Sequence, residues 1–242
     1  MHRTVPLLIQ DKNGTPVVGL TASDLSGEFR GKPVQILSVT VDGRPRQIVI
    51  LLDASGSMYY LENGKWPVTL RIIADLLASV RKQDSISLMI FSGKVDEVMD
   101  AAQGREAILK RLRELAPGRK AFPKWNGTTA IWDSILAATS SPQALHSGDV
   151  IYLVSDGDDN ASREQRSRVR HKLLEQGIRI FAFLLSSGPY YGAEDSEDVI
   201  GLARKTGAFP LCFLLKSFLL PAQFSHCEKR NFWASSGRSR LS

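Results

Sequence analysis

Cysteine is scarce in this chain: 242 residues contain two, Cys212 and Cys227. So few, both late, exclude a disulfide framework and the paired-cysteine spacing of a structural zinc site. The two can pair or stand as free thiols. No apolar run reaches the length of a membrane span. The richest stretch, Phe209 to Leu220, is short and carries Lys216. The start, Met1 to Ile9, is basic, but Pro6 interrupts its apolar run and Gln10-Asp11 ends it, short of a signal h-region. Read from that start, the chain is expected to be cytoplasmic. A Gly-rich Walker loop and a G-x-S-x-G elbow are also missing, which removes two common routes to phosphate and acyl chemistry. The four histidines, His2, His146, His171 and His226, are scattered and read as surface or loop residues.

A formal charge of +6 could point to an anionic partner, but its distribution argues otherwise. From Lys216 onward, Lys216, Lys229, Arg230, Arg238 and Arg240 face one acid, Glu228, so the tail carries +4 of the excess. The rest is nearly balanced and shows no basic stripe interleaved with aromatics, so nucleic acid is not an expected partner. What the chain does have is an ordinary globular composition, 43% hydrophobic and 23% charged. Its length suffices for one large domain or a domain with a small extra lobe.

The most informative run is Ile48-Val49-Ile50-Leu51-Leu52-Asp53-Ala54-Ser55-Gly56-Ser57. A short apolar run reads as a strand buried on both faces. It ends in Asp53, Ser55 and Ser57, three oxygen side chains leaving the strand together. Carboxylate and hydroxyl oxygens are hard ligands that suit Mg²⁺, Mn²⁺ or Ca²⁺ rather than Zn²⁺. A second buried strand, Val150 to Val154, runs into Ser155-Asp156-Gly157, and Asn126-Gly127-Thr128-Thr129-Ala130 opens an apolar helical stretch.

The segments between alternate in type. Helices are expected over Pro67–Lys82 (Val68, Ile72, Leu76 and Val80 on one face, Ile73 and Leu77 beside it), Gly104–Leu115 (Ile108, Leu112, Leu115), Thr129–Thr139 (Ile131, Ile135, Leu136), Arg163–Gln176 and Asp195–Lys205. Strands are expected over Ser85–Phe91 and Ile178–Leu185, with Val95–Met99 as a short antiparallel edge. Strands spaced by helices imply crossover units and a doubly wound, mostly parallel α/β sheet with helices on both faces. Residues 1–45 read as a small β-rich segment, with apolar runs at Val5–Ile9, Val17–Leu25 and Val34–Val39, too small to bury much core alone. Residues 46–210 form the main domain, and 211–242 an atypical basic tail.

In order and spacing, the D-x-S-x-S strand end, the Thr-bearing loop and the late Asp-Gly turn resemble the metal-ion-dependent adhesion site (MIDAS) of von Willebrand factor type A (VWA) domains. The resemblance covers roughly residues 4 to 210 and includes the leader pattern of bacterial VWA-related proteins. It implies a Rossmann-like VWA fold. It implies a metal set of Asp53, Ser55, Ser57, Thr129 and Asp156, with Thr129 rather than its neighbour Thr128 as the loop ligand. The implied ion is Mg²⁺, with Mn²⁺ or Ca²⁺ as alternatives, and the implied partner is a protein presenting an Asp or Glu to that ion. Tyr59, Tyr60, Thr128 and Asp158 are the candidate rim residues; Tyr59, Tyr60 and Trp66, which follow the first motif, either join that rim or pack under the loop. Asp158 and Asp159 otherwise read as a solvated acidic turn. Relatives are often exported, and they continue past position 210 with another closing element. The tail here departs from that pattern, as a truncated or shifted reading frame would.

Two other readings stand beside the binding module. One is a metal-dependent phosphatase or hydrolase with Asp53 as nucleophile. Acyl-phosphate enzymes on similar sheets carry a second Asp two residues on as acid/base, whereas Ser55 stands here, so catalysis is not expected. The other is a degraded relative that no longer binds metal.

Overall fold

A computed structural model describes residues 7, 9, 11, 17–59, 64–117, 127–140, 145–186, 194–208, 210–214 and 239–241. The chain divides into two compact units, Met1–Pro6 with Pro45–Cys227, and Leu7–Arg44 with Glu228–Ser242.

In the smaller unit, β1 (Gly27–Phe29) and β2 (Lys32–Val34) form an antiparallel hairpin. Its two-residue loop, Arg30-Gly31, has positive φ at both positions, 51° and 74°. That is the backbone of a type I′ turn, whose twist matches the strands it joins. The strands expected over Val17–Leu25 and Val34–Val39 do not form as such. A 3-10 turn at Ala22–Asp24 replaces the first. The Thr21 amide (2.7 Å) and hydroxyl (2.6 Å) both donate to the Asp24 carboxylate, a local arrangement that competes with ladder bonding. The run at Val5–Ile9 lies largely outside the described residues. The other strand of this unit comes from the far end of the chain: β9 (Ser239–Leu241) pairs parallel to β1.

The larger unit is the α/β domain. Its sheet contains β3 (Gln47–Asp53), β4 (Ser85–Phe91), β5 (Val95–Met99), β6 (Val150–Ser155), β7 (Arg179–Ser186) and β8 (Pro210–Leu214). The order is β5-β4-β3-β6-β7-β8, all parallel except the edge strand β5. Residues 210–214, which follow the point where the sequence resemblance is lost, thus extend the sheet beyond β7. The helices are α1 (Gly56–Tyr59), α2 (Lys65–Ser79), α3 (Gly104–Leu115), α4 (Ile131–Thr139), α5 (Arg166–Gln176) and α6 (Glu194–Lys205).

Alternation along β3 builds two cores. Ile48, Ile50 and Leu52 face Trp66, Ile73 and Leu77 of α2 and Ile108, Leu112 and Leu115 of α3. Val49 and Leu51 face Ile131 and Ile135 of α4, Val169 and Leu173 of α5, and Val199 and Leu202 of α6. A strand covered on both faces has no polar side, which is why its sequence reads as one continuous apolar run. On α2 the inward stripe is rotated from the expected one. Trp66, Thr69, Ile72, Ile73 and Leu77 are buried, whereas Val68, Leu76 and Val80 are only partly so. Trp66 sets this rotation: it is fully buried, and its indole N–H donates to the Leu115 carbonyl at 2.8 Å. α5 ends where expected, at Gly177 with φ 65°, whose amide donates to the carbonyls of Leu173 and Leu174.

Candidate metal centre

From β3 the chain passes outward to β4 and β5, then crosses to β6 on the other side and continues to β7 and β8. The winding direction reverses between β3 and β6. In sheets of this kind the loops at the carboxyl ends of the strands flanking such a reversal form the usual ligand site. Asp53 ends β3, and Asp156 follows β6 directly.

The Asp53 carboxyl is completely buried. Its Oδ1 accepts the Ser55 amide at 2.8 Å, and its Oδ2 accepts the Ser155 hydroxyl at 2.5 Å. Burial pushes its pKa up from 3.8 to about 7, and the negative charge of Asp156 adds to the rise; the Ser155 and Ser55 hydrogen bonds oppose it. Ser55 is buried and its hydroxyl lies 3.2 Å from that of the exposed Ser57. Ser155 also accepts the Gly157 amide at 3.0 Å, so one hydroxyl ties the first aspartate to the turn bearing the second.

Thr129 is buried on the loop before α4. Its amide donates to Asn160 Oδ1 at 2.8 Å, and its carbonyl accepts the amides of Asn160 and Ala161, both at 3.0 Å. The Ala130 amide donates to the Ser92 carbonyl just past β4. Those bonds hold the Thr129 loop against the segments after β4 and β6. Thr129 does not cap α4. Asp159 does, accepting the Ile131 amide at 2.7 Å, while the Ser162 hydroxyl accepts the Trp132 amide at 2.9 Å and donates to Asp159 at 2.5 Å. Asp159 is therefore a structural cap and not part of a solvated turn; Asp158 beside it is exposed.

Of the rim residues, Thr128 is half-buried. Tyr59 closes the one-turn helix α1, its side chain lying, like all of Tyr60, outside the described residues. Trp66 packs in the core, away from any rim.

One neighbour was not legible in the motif pattern. Lys65 Nζ sits 2.7 Å from Asp156 Oδ2, with the two side chains 10% and 4% exposed. Lys65 opens α2, the end of a helix where the backbone dipole disfavours a cation. With the helix expected to begin at Pro67, the sequence carried no signal of this placement. Ser155, directly before Asp156, is the other residue missed; its hydroxyl reads as an ordinary strand end.

The donor set is oxygen only. Among the described residues no three His, Cys, Asp or Glu side chains gather as a metal-holding group, so an ion here depends on hydroxyls beside Asp53 and Asp156. Asp53, buried and crowded by a second negative charge, is chemically suited to a divalent cation. Asp156 is already engaged by an ammonium.

Residues 26–189 match the sequence model of the family described as "VWA domain containing CoxE-like protein". The chain belongs to this VWA family. None of the curated proteins matches it. Among solved structures, the VWA fold is shared with the conserved hypothetical protein BatB from Bacteroides thetaiotaomicron, at 18% identity and a TM-score of 0.52, covering 72% of this chain and 93% of that one. It is shared also with a von Willebrand factor type A protein from Catenulispora acidiphila, at 16% identity and TM-score 0.53, covering 73% and 40%. An aerotolerance-related membrane protein from Bacteroides fragilis matches at 17% identity and TM-score 0.50, covering 72% and 94%. At these identities the likeness concerns fold. VWA membership supports a protein-interaction module in general, of a kind that is typically not enzymatic. Among the described residues of this VWA domain, no helix is long and apolar enough to cross a membrane.

Proposed function

We propose that this VWA domain is a metal-ion-dependent protein-binding module. Asp53, Ser55, Ser57, Thr129 and Asp156 would hold a divalent cation, Mg²⁺ by preference, and the ion would capture an Asp or Glu carboxylate of a partner protein. The observation that carries this reading is the Asp53 carboxyl, buried at the sheet's switch point, beside Asp156 and within a shell of hydroxyls. A buried carboxylate without a cation is costly, and a divalent ion relieves that cost. Two carboxylates roughly neutralise such an ion, while hydroxyls bind it without adding charge. The site then stays electrophilic enough to accept an outside carboxylate.

Calorimetric titration with Mg²⁺ and Mn²⁺ tests the reading, with Asp53→Ala as control. Binding in the wild type that vanishes in the variant supports it. A wild type that binds neither ion sinks it. Asp53→Ala is expected to leave the fold largely intact, because its removal relieves crowding between the strand-end carboxylates.

A second reading, a VWA relative without metal, has one specific observation in its favour: the Lys65–Asp156 pair already supplies Asp156 with a cation.

A further inference from the structure

The Lys65 ammonium engages a carboxylate that a metal would need. It lies 2.7 Å from Asp156 Oδ2 with both side chains almost wholly withdrawn from water. A pair withdrawn from water in this way is strongly coupled, and loss of either member removes a close opposite charge from the other. Nothing in the helix favours the position. Lys65 is the first residue of α2, and the preceding Gly64 supplies no side-chain cap, so the cation sits at the positive end of the helix dipole. Asp156 is the carboxylate that offsets this cost.

Charge arithmetic gives the arrangement a consequence. Among these three groups, with Asp53 and Asp156 both ionised, Lys65 leaves a single net negative charge. A divalent ion entering beside Lys65 would overshoot neutrality, with two cations on one carboxylate. With Lys65 displaced, the ion and the two carboxylates balance. Exchange is favoured over coexistence.

We propose that Lys65 is a tethered counter-ion that competes with the divalent cation for Asp156, so that the domain alternates between a lysine-closed and a metal-loaded state. This rests on the reading of the site as a metal centre and adds a built-in threshold to it: the ion binds only where its concentration outcompetes the lysine. The exchange is a swing of one side chain rather than a shift of α2. The next residue, Trp66, is completely buried and fixed by its indole N–H on the Leu115 carbonyl, which pins the first turn of the helix.

The test is Mn²⁺ titration by calorimetry of the wild type, Lys65→Met and Lys65→Arg, with thermal melts in chelator and in Mn²⁺. Lys65→Met is expected to bind Mn²⁺ at least about tenfold more tightly than the wild type, as a buried competing charge is removed. Its melting temperature should fall in chelator and rise more than the wild type's when Mn²⁺ is added. Lys65→Arg keeps the charge and should bind no more tightly than the wild type. If Lys65→Met does not fold, Lys65→Gln carries the same expectation. Tightening in the neutral variants alone, over a wild type that itself binds, supports the proposal; binding seen only in the variants overturns the metal-loaded state of the wild type and the proposal with it. A wild type that binds Mn²⁺ while the neutral variants bind equally or more weakly overturns the lysine competition and leaves the metal centre standing. Absence of binding in every protein overturns both.

Discussion

Replacing Asp53 with Asn should stabilise the metal-free protein at alkaline pH. The carboxyl is fully buried, and its pKa stands at about 7 against 3.8 for a free aspartate, through loss of water first and Asp156 second. Because the folded-state value lies above the unfolded one, this group contributes its full stability only below about pH 3.8. The contribution is lost as the pH climbs through about 7. A rise of roughly three pKa units corresponds to a ceiling of about 4 kcal/mol against folding at pH 8. Asn keeps the acceptor for the Ser55 amide. It obliges the Ser155 hydroxyl, now a donor to Oδ2, to reorient, at a cost of about 1 kcal/mol. Allowing as much again for imperfect repacking leaves a gain of about 2 kcal/mol, or roughly 4–8 °C in Tm for a domain of this size. Thermal melts in chelator at pH 4.5, 6 and 8 measure it. The gain should grow with pH across the series. Added Mg²⁺ should stabilise the wild type and leave the variant unmoved. A variant less stable than the wild type by the same margin at every pH would refute the reasoning, for the carboxylate would then carry no burial penalty.

Two further substitutions probe the scaffold that presents the site. Asp159→Ala removes the acceptor at the start of α4 and should lower stability by about 1–2 kcal/mol, read in a urea melt; it should also weaken Mn²⁺ binding, since the next residue, Asn160, accepts the Thr129 amide. Trp66→Phe keeps the ring in the core but strands the Leu115 carbonyl, for an expected loss of about 1–3 kcal/mol by denaturant titration, with Mn²⁺ affinity changed less than in Asp159→Ala.

The type and order of the main elements were legible because helices and buried strands carry different apolar periods. β3, β4, β5 and α3 lie where their patterns place them. Boundaries slipped where a local rule was overruled. α2 begins at Lys65, ahead of Pro67, because Trp66 finds a carbonyl on α3. The leader's apolar runs did not become the expected strands, since a turn built on Thr21 and Asp24 and a tight hairpin captured that backbone. At the candidate centre, the resemblance to VWA domains singled out Asp53, Ser55, Ser57, Thr129 and Asp156, and the fold brings the ends of β3 and β6 to the same end of the sheet.

By itself the sequence determined the alternation that makes a doubly wound sheet, and the oxygen-bearing residues that follow β3 and β6. These are local properties, fixed by the two- and 3.6-residue repeats and by residue type. Only the tertiary structure decided what each of those groups faces. Lys65 meets Asp156 across 91 positions of chain, and Ser155 meets Asp53 across 102. The rise in the Asp53 pKa depends on how deeply the packed helices bury it. Contacts of that range leave no periodic trace, because they arise from which strands lie side by side, and that order is set by packing of the whole sheet.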